Sequence, residues 1–574
     1  MKDLFKYLKP YTKESILAPA FKLVEALLDL LVPVIIARII NFGIKTGDKQ
    51  YIIIHFVFLI GLAIIGLGFS VTAQFFAAKA SVGFATTLRE KLFAHIQKLS
   101  FEQLDKVGTE TLITRITGDV AQVQNGVNMV LRLLLRSPFI VFGAMIVAFT
   151  INVKAALIFA VSIPILAGVV YLIMSLTIPM YRKVQGKLDD VLLTTRENLT
   201  GVRVIRAFCK EEDEVKEFDD KNEALTKLNL FVGRVSALLN PATYVLINIA
   251  ICLLFMKSGQ GVYDGEILQG DVLALYNLMA QMIVELIKLA ALIITINKAL
   301  ACADRVGAVL KMPTGMDYAG DKEGNPGNEI AVEFDHVSFA YKDAGEDALS
   351  DISFVARKGE TIGIIGGTGS GKSTVVNLIP RFYDATAGKI RVFGEDVKDY
   401  GEGKLALHIG MVAQKAVLFA GSVRDNLRWG NEDATDEEIT EALRCAQALE
   451  IVEKKEGGLD YMVEQGGRNF SGGQKQRLTI ARALVKHPDI LILDDSSSAL
   501  DYATDLNLRR ALASLDGKMT TFIVSQRTAS IRGADKILVL DDGKLLDVGT
   551  HEELLKRCEV YREIHLTQTE EDAV

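Results

Sequence analysis

Six apolar runs set the terms on which this chain can fold. Ile16–Phe42, Tyr51–Phe76, Met129–Ile151, Ala155–Pro179, Leu238–Met256 and Val272–Ile296 are each long enough to cross a bilayer as a helix, since a hydrocarbon core needs about 20 apolar residues. They dominate the chain up to about Leu310. From Glu329 onward the pattern changes to short strand-like runs alternating with charged helical periods, as in an α/β domain. At 574 residues the chain is too long for one core, and the break in composition places the division. The expected organisation is a membrane half at 1–312, a linker at 313–328 rich in Gly, Pro and charge, a water-soluble domain at 329–566, and an acidic, disordered tail at 567–574.

The loops Gly43–Gln50, Asn152–Lys154 and Lys257–Asp271 are short, whereas Ala77–Asn128 and Met180–Ala237 are long and rich in Lys and Arg. The positive-inside rule puts the long stretches, both termini and the soluble domain in the cytoplasm. Met1–Leu8 has no signal-peptide core and reads as an amphipathic segment at the membrane surface. Helical periodicity at Leu88, Leu92, Ile96 and Leu99 carries the spans well into the cytoplasm. At the turning points Gly108–Arg115 and Glu197–Ile205 are either pieces that dock on another domain or ordinary hairpin tips.

Charges inside the spans admit two readings. Lys22, Glu25 and Asp29 share one helical face, and Glu285 and Lys288 do the same in the sixth run. Such residues line a translocation path or form ion pairs between helices. Asp29, nearest the middle of its span, is the better path residue, followed by Glu25 and Glu285; Arg132 and Arg136 are expected to snorkel or pair. A net charge of −7 offers no basic field for nucleic acid. Five scattered cysteines without C-x-x-C spacing indicate neither a disulfide framework nor a zinc site.

In the second half, Gly366-Gly367-Thr368-Gly369-Ser370-Gly371-Lys372-Ser373-Thr374 follows the apolar run Thr361–Ile365 and opens a helix-like stretch. The spacing G-x-x-x-x-G-K-S is a phosphate-binding loop: its backbone N–H groups cradle a triphosphate, Lys372 reaches the terminal phosphates and Ser373 offers a hydroxyl to magnesium. The buried-strand pattern Ile490–Leu493 delivers Asp494 to its tip, where a magnesium-orienting carboxylate belongs. Between them Phe470-Ser471-Gly472-Gly473-Gln474 opens a helix whose free N–H groups suit a second phosphate contact.

In this order the motifs resemble those of the ATP-binding cassette exporters along nearly the whole chain. The resemblance implies an all-α, six-helix transmembrane domain of the type I exporter kind, then an α/β P-loop cassette that uses ATP and Mg2+. It implies that Tyr341 stacks on adenine, that Gly366, Thr368, Gly369, Ser370, Gly371, Lys372, Ser373 and Thr374 hold the phosphates, and that Gln414 senses the membrane domain beside the metal. Ser471, Gly472, Gly473 and Gln474 then look like the signature that caps a nucleotide held by a second chain. Ser498–Asp501 looks like the loop between sites, and the two hairpin tips look like coupling helices.

Two positions depart from the family pattern. Asp495 stands where a Glu normally polarises the attacking water, and Gln526 where a His normally meets the terminal phosphate; Gln465 is a lesser departure. The resemblance therefore points to the degenerate-site half of a heterodimeric exporter in a bacterial inner membrane. It would move amphipathic compounds, drug, lipid or peptide, outward with a second half-transporter as partner. A homodimeric pump with an unusual site, a nucleotide-gated channel-like subunit and an importer of exporter fold stand as alternatives.

Overall fold

The computed structural model describes residues 4–316, 320–342, 344–515 and 519–571. They form two units: residues up to Gln97 together with Glu110–Lys311, and Lys98–Thr109 together with Met312 onward.

The first unit is helical. In chain order the helices are α1 (Thr12–Arg38), α2 (Lys49–Ile96), α3 (Phe101–Val107, which falls in the second unit), α4 (Thr109–Thr114), α5 (Val120–Leu133), α6 (Arg136–Ile151), α7 (Val153–Ala207), α8 (Glu211–Ala237), α9 (Leu239–Tyr263) and α10 (Gln269–Leu310). Short polar loops start two of the long ones: Asp48 accepts from the Tyr51 N–H to cap α2, and Asn152 from the Ala155 N–H to cap α7. With 48 and 55 residues, these helices run about 70 and 80 Å, more than twice the hydrocarbon thickness. Half of each therefore lies beyond the membrane, as the periodicity predicts.

Five stretches among the described residues are long and apolar enough to cross a membrane, namely Lys49–Ile96, Thr109–Ile151, Val153–Ala207, Glu211–Tyr263 and Gln269–Leu310. The first expected span is also helical, through α1 and a wider π-helical turn at Ile39–Ile44. Lys22, Glu25 and Asp29 are what set its composition apart. α1 packs along α2, α6 and α10, and Ala26, Leu30, Ala144, Ala148, Phe159 and Leu275 are buried where helices meet. Small residues let the backbones approach: a Cβ on Gly126 would lie 2.2 Å from that of Ala299.

The hairpin tips meet expectation in part. Gly108–Arg115 holds the short helix α4, which runs on through a π-helical turn at Arg115–Asp119 into α5, and just upstream of it lies a second short helix, α3. Ser100 and Gln103 form its capping box, and Gly108, at φ 77°, ends it. Its Phe101 ring lies 4.5 Å from Phe382, and Asp105 accepts a 2.8 Å bond from the Tyr383 hydroxyl. Glu197–Ile205 is not a separate piece at all, because α7 continues unbroken to Ala207 before turning at Cys209, φ 51°.

The second unit holds β1 (Ile330–Phe339), β2 (Leu349–Arg357), β3 (Thr361–Gly366), β4 (Ala387–Val392), β5 (Glu395–Asp396), β6 (Ile409–Val412), β7 (Gly421–Ser422), β8 (Met462–Val463), β9 (Ile490–Asp494), β10 (Thr520–Val524), β11 (Lys536–Asp541) and β12 (Lys544–Gly549). Six form one sheet in the order β12-β11-β3-β10-β9-β6, parallel except at the β12 edge. Its middle strands are continuous apolar runs because both faces are covered. Along β9 the residues alternate between two cores: Ile490 and Ile492 join Ile364, Val376 and Phe522 on one face, while Leu491 and Leu493 join Leu478, Ile480 and Val539 on the other.

Two boundary expectations are corrected. Part of the 313–328 linker is folded onto the second unit: Lys322 pairs with Tyr400, donating to the Asp399 carbonyl at 3.1 Å and accepting from the Gly401 N–H at 3.1 Å. The Gly and charge that suggested a free linker serve this close approach, since a Cβ on Gly324 would meet the Tyr400 hydroxyl at 2.2 Å. The tail expected to be disordered continues the helix Glu559–Glu571. Residues 317–319 of the linker, 572–574 of the tail and 1–3 of the N-terminal segment lie outside the described residues.

Candidate nucleotide-binding site

The sheet explains why distant motifs meet. β10 lies between β3 and β9, with Val524 opposite both Ile364 and Asp494. The Gly366 loop, the Asp494–Asp495 pair and the Ser525–Gln526 loop thus leave the carboxyl ends of three adjacent parallel strands, the edge where α/β sheets bind ligands.

Glycine is needed at the turn of the loop. A Cβ on Gly366 would sit 2.1 Å from the Leu540 carbonyl, and Gly369 and Gly371 hold φ of 86° and 91°. The chain then enters α11 (Lys372–Leu378). Lys372 is buried, its Nζ donating to the carbonyls of Gly366 at 2.9 Å and Gly367 at 2.5 Å. Burial pulls its pKa down, against the attraction of Asp495 and Asp494. Ser373 donates to Asp494 Oδ1 at 2.9 Å. Burial raises the pKa of Asp494, the neighbouring Asp495 raises it further, and Ser373 and Lys372 oppose both. Thr374 meets the Tyr341 hydroxyl at 3.1 Å, and the half-exposed Tyr341 ring is held edge-on by Phe339 and Tyr383.

Asp495 adopts the left-handed backbone, φ 46°, and its N–H donates to the Val524 carbonyl at 3.1 Å. Gln414 reaches its Oδ2 at 3.2 Å, so the expected sensing amide and the expected water-activating carboxylate are in contact. Gln526 is exposed at the same edge. The geometry brings together every expected residue from Tyr341 to Thr374 with Gln414, Asp494, Asp495 and Gln526.

The signature is arranged differently. Ser471 and Gln474 form a capping box at the start of the helix Gly472–Val485, with the Ser471 N–H 3.0 Å from Gln474 Oε1. Ser471 and Gly472 are exposed with open space around Gly472, while Gly473 is confined by the Ala499 carbonyl. The capping box engages the N–H groups of Ser471 and Gln474, while Ser471 and Gly472 themselves lie at the surface. The Ser498–Asp501 loop is tied down by the Ser498 hydroxyl on the Asp495 carbonyl and by Asp501, which caps Tyr502–Ser514.

In the first unit the expected path residues are bonded to one another. Arg136 donates to Asp29 at 2.9 Å and to Glu285 at 2.7 Å, and Glu25 lies 3.9 Å from it. Lys22 binds Glu25 at 2.5 Å and Ser70 at 3.1 Å. Ser137 and Lys288 complete Glu285. Of the three acids, Glu25 and Glu285 are nearly enclosed, whereas the Asp29 side chain is 44% exposed. The pairing reading fits the first two, and Asp29 alone keeps a face outward.

Three residues escaped the sequence reading: Thr528, His565 and Gln568, which touch one another beside Gln526. Their separation along the chain leaves no spacing signal.

The donor set suits a magnesium triphosphate. The loop supplies backbone N–H groups and a buried cation, and the Ser373 hydroxyl and Asp494 carboxylate converge as two hard oxygens. Magnesium keeps several waters and shares phosphate oxygens, so one or two protein oxygens suffice for it. Magnesium there would neutralise charge on the terminal phosphates.

The model of the ABC transporter transmembrane region matches residues 15–286, and that of the ABC transporter matches 349–498. An ABC transporter ATP-binding protein of Bacillus subtilis is 36% identical over 572 residues, covering 99% of this chain and 98% of its own. An ATP-dependent lipid A-core flippase of Hahella chejuensis is 33% identical over 573 residues, covering 99% and 97%. The solved structure of a bacterial Atm1-family ABC exporter with ATP bound shares the fold, with a TM-score of 0.79 over 98% of each chain at 23% identity. A transmembrane helical region ahead of an ATP-binding domain, matched end to end by such relatives, makes this chain a member of the ATP-binding cassette transporter family, an exporter half-transporter whose transport is coupled to ATP hydrolysis.

Proposed function

We propose that this half-transporter works with a different partner chain and that its own nucleotide site binds ATP but turns it over slowly. The observation that carries this reading is the pair Asp495 and Gln526 at the edge of β9 and β10. A carboxylate one methylene short of Glu stands over an ångström back from a water placed for Glu, a displacement that costs on the order of a hundredfold. Gln526 hydrogen-bonds a phosphate but carries no positive charge to it. Lys372, Ser373 and Asp494 keep the binding half of the site. On this reading Gly366–Thr374 with Tyr341 hold the nucleotide of this chain, and Ser471–Gln474 cap the one held by the partner, whose hydrolysis drives transport.

The chain would sit in a bacterial cell membrane with its termini and residues 329–566 in the cytoplasm, exporting an amphipathic compound. A lipid is the favoured class, supported by the relatives named as lipid A-core flippases and by Asp29, whose exposed carboxylate face can meet a polar headgroup.

The purified chain in lipid nanodiscs tests the slow-site reading. ATP should bind, and phosphate release should stay at about 0.1 per second or below, a hundredfold under the ~10 per second common among enzymes. Rapid turnover by the chain alone would overturn it.

A further inference from the structure

From the C-terminal helix Glu559–Glu571, Gln568 reaches the loop that follows β10. Its Nε2 donates to the Gln526 carbonyl at 2.6 Å, and its Oε1 accepts from the Thr528 N–H at 2.8 Å. The Thr528 hydroxyl donates to the same oxygen at 3.0 Å and lies 3.0 Å from His565 Nδ1. The amide spans Arg527 as a neighbouring strand would, pairing with the carbonyl before it and the N–H after it.

The loop is otherwise held on either side of this clamp: the Ser525 N–H donates to the Ile364 carbonyl at 3.1 Å, the Arg527 N–H to Ser525 Oγ at 3.0 Å, and the Ser530 N–H to the Arg527 carbonyl at 3.1 Å. β10 ends at Val524, and Thr528 opens the short helix Thr528–Ile531, so its N–H has no partner within that helix. Thr528 is buried at 3% exposure, and a buried N–H without a partner is costly. Gln568 meets that need and in doing so fixes the direction in which the Gln526 side chain leaves the backbone. It is not needed to hold its own helix. Tyr561, fully buried, anchors Glu559–Glu571 through apolar contacts and a 2.7 Å bond to His551. Asp495, Gln526, Arg527, His565 and Gln568 line one cavity, so the C-terminal helix borders the space where water would be activated.

We propose that Gln568 is a positioning residue for ATP hydrolysis: it holds the Gln526 loop in the geometry that presents Gln526 to the terminal phosphate, making the docked C-terminal helix a condition of turnover. This rests on the reading of Gln526 as the phosphate contact.

The full chain in nanodiscs carrying Gln568→Ala provides the test, with hydrogen exchange and phosphate release read on the same preparation. Amide exchange across residues 525–529 should quicken roughly tenfold, the loss of about one net hydrogen bond, while the phosphate loop and Glu559–Glu571 stay protected. The kcat for Mg-ATP should fall about tenfold with KM within twofold. Gln568→Glu keeps the acceptor and loses the donor, so it should fall between Gln568→Ala and the unaltered chain. Gln526→Ala should lower kcat by itself, and adding Gln568→Ala to it should change nothing further. If Gln526→Ala leaves kcat unchanged, the reading of Gln526 fails and the proposal falls with it. If Gln526→Ala slows turnover but Gln568→Ala does not, or the two losses multiply, the clamp is overturned while that reading stands. Unchanged exchange at 525–529, or loosening of the whole C-terminal helix, also overturns it.

Discussion

The two units handle charge in opposite ways. Between the membrane helices, Lys22, Arg136 and Lys288 face Glu25, Asp29 and Glu285, three cations against three anions, each bonded to at least one opposite partner. In the nucleotide-binding unit Lys372 is buried with carbonyl partners, and the Ser471 helix start lies at the surface. Where water is scarce an uncompensated charge is costly, so the helices complete their ion pairs internally. In the second unit the buried cation is held by neutral carbonyls instead of a carboxylate, so its charge is not cancelled by a bonded partner. Charge inside a span is therefore a poor sign of substrate contact unless part of it remains exposed.

The largest effect that would break this contrast is on the membrane side. Arg136→Ala strands Asp29 and leaves the nearly enclosed Glu285 with Lys288 and Ser137 alone, and should destabilise the helical unit by about 3 kcal/mol. Thermal unfolding in detergent should drop accordingly, while any protein that remains folded keeps its ATP affinity. Lys372→Ala should do the reverse. ATP affinity should fall roughly 100-fold, from the loss of a buried cation at the phosphate loop, with unfolding of the membrane helices unchanged. An Arg136→Ala protein of normal stability would show that the network is not structural.

Smaller effects sharpen the comparison. Because burial holds the pKa of Asp494 above the usual carboxylate value, its ionised form is present only above that raised pKa. Magnesium-dependent ATP binding should weaken as pH falls into that range, at higher pH than an ordinary Asp near 4 would require. Asp494→Asn should bind more weakly and lose this slope. Asp29→Asn should be the mildest, about 1 kcal/mol or less on stability, since Arg136 retains Glu285 and Asp29 is half-exposed. Its measurable consequence should be a change in which compounds are exported at an unaltered basal ATPase rate.

The difference between the units also explains what could be read in advance. The Gly366–Ser373 loop, Asp494 and the Ser471 motif are legible because each is a local pattern whose chemistry depends on spacing within a few residues. The apolar runs are legible for the same reason. Arg136 could only be suspected of pairing, because its partners Asp29 and Glu285 are 107 and 149 residues away. Of the two short helices around Gly108, α4 falls inside the stretch Gly108–Arg115 that the pattern marks, whereas α3 lies just before it and ends at Gly108. Composition misled at 313–328 and 567–571, where polar residues are engaged with Tyr400 and with the Gln526 loop. Gln568 has no pattern of its own, and its meaning exists only once the fold brings it 2.6 Å from the Gln526 carbonyl.

The central claim is that this chain contributes unequally to two nucleotide sites. It is tested most directly by comparing two variants of the assembled transporter in one proteoliposome preparation at saturating ATP and magnesium. On the proposed reading, Ser471→Ala with Gly472→Glu would place a carboxylate against the phosphates of the partner's nucleotide, and should cut ATPase activity at least tenfold. Asp495→Ala, in a site already slow, should leave activity within about twofold. Comparable losses from the two would contradict the account, making Asp495 a working base and the transporter a symmetric pump.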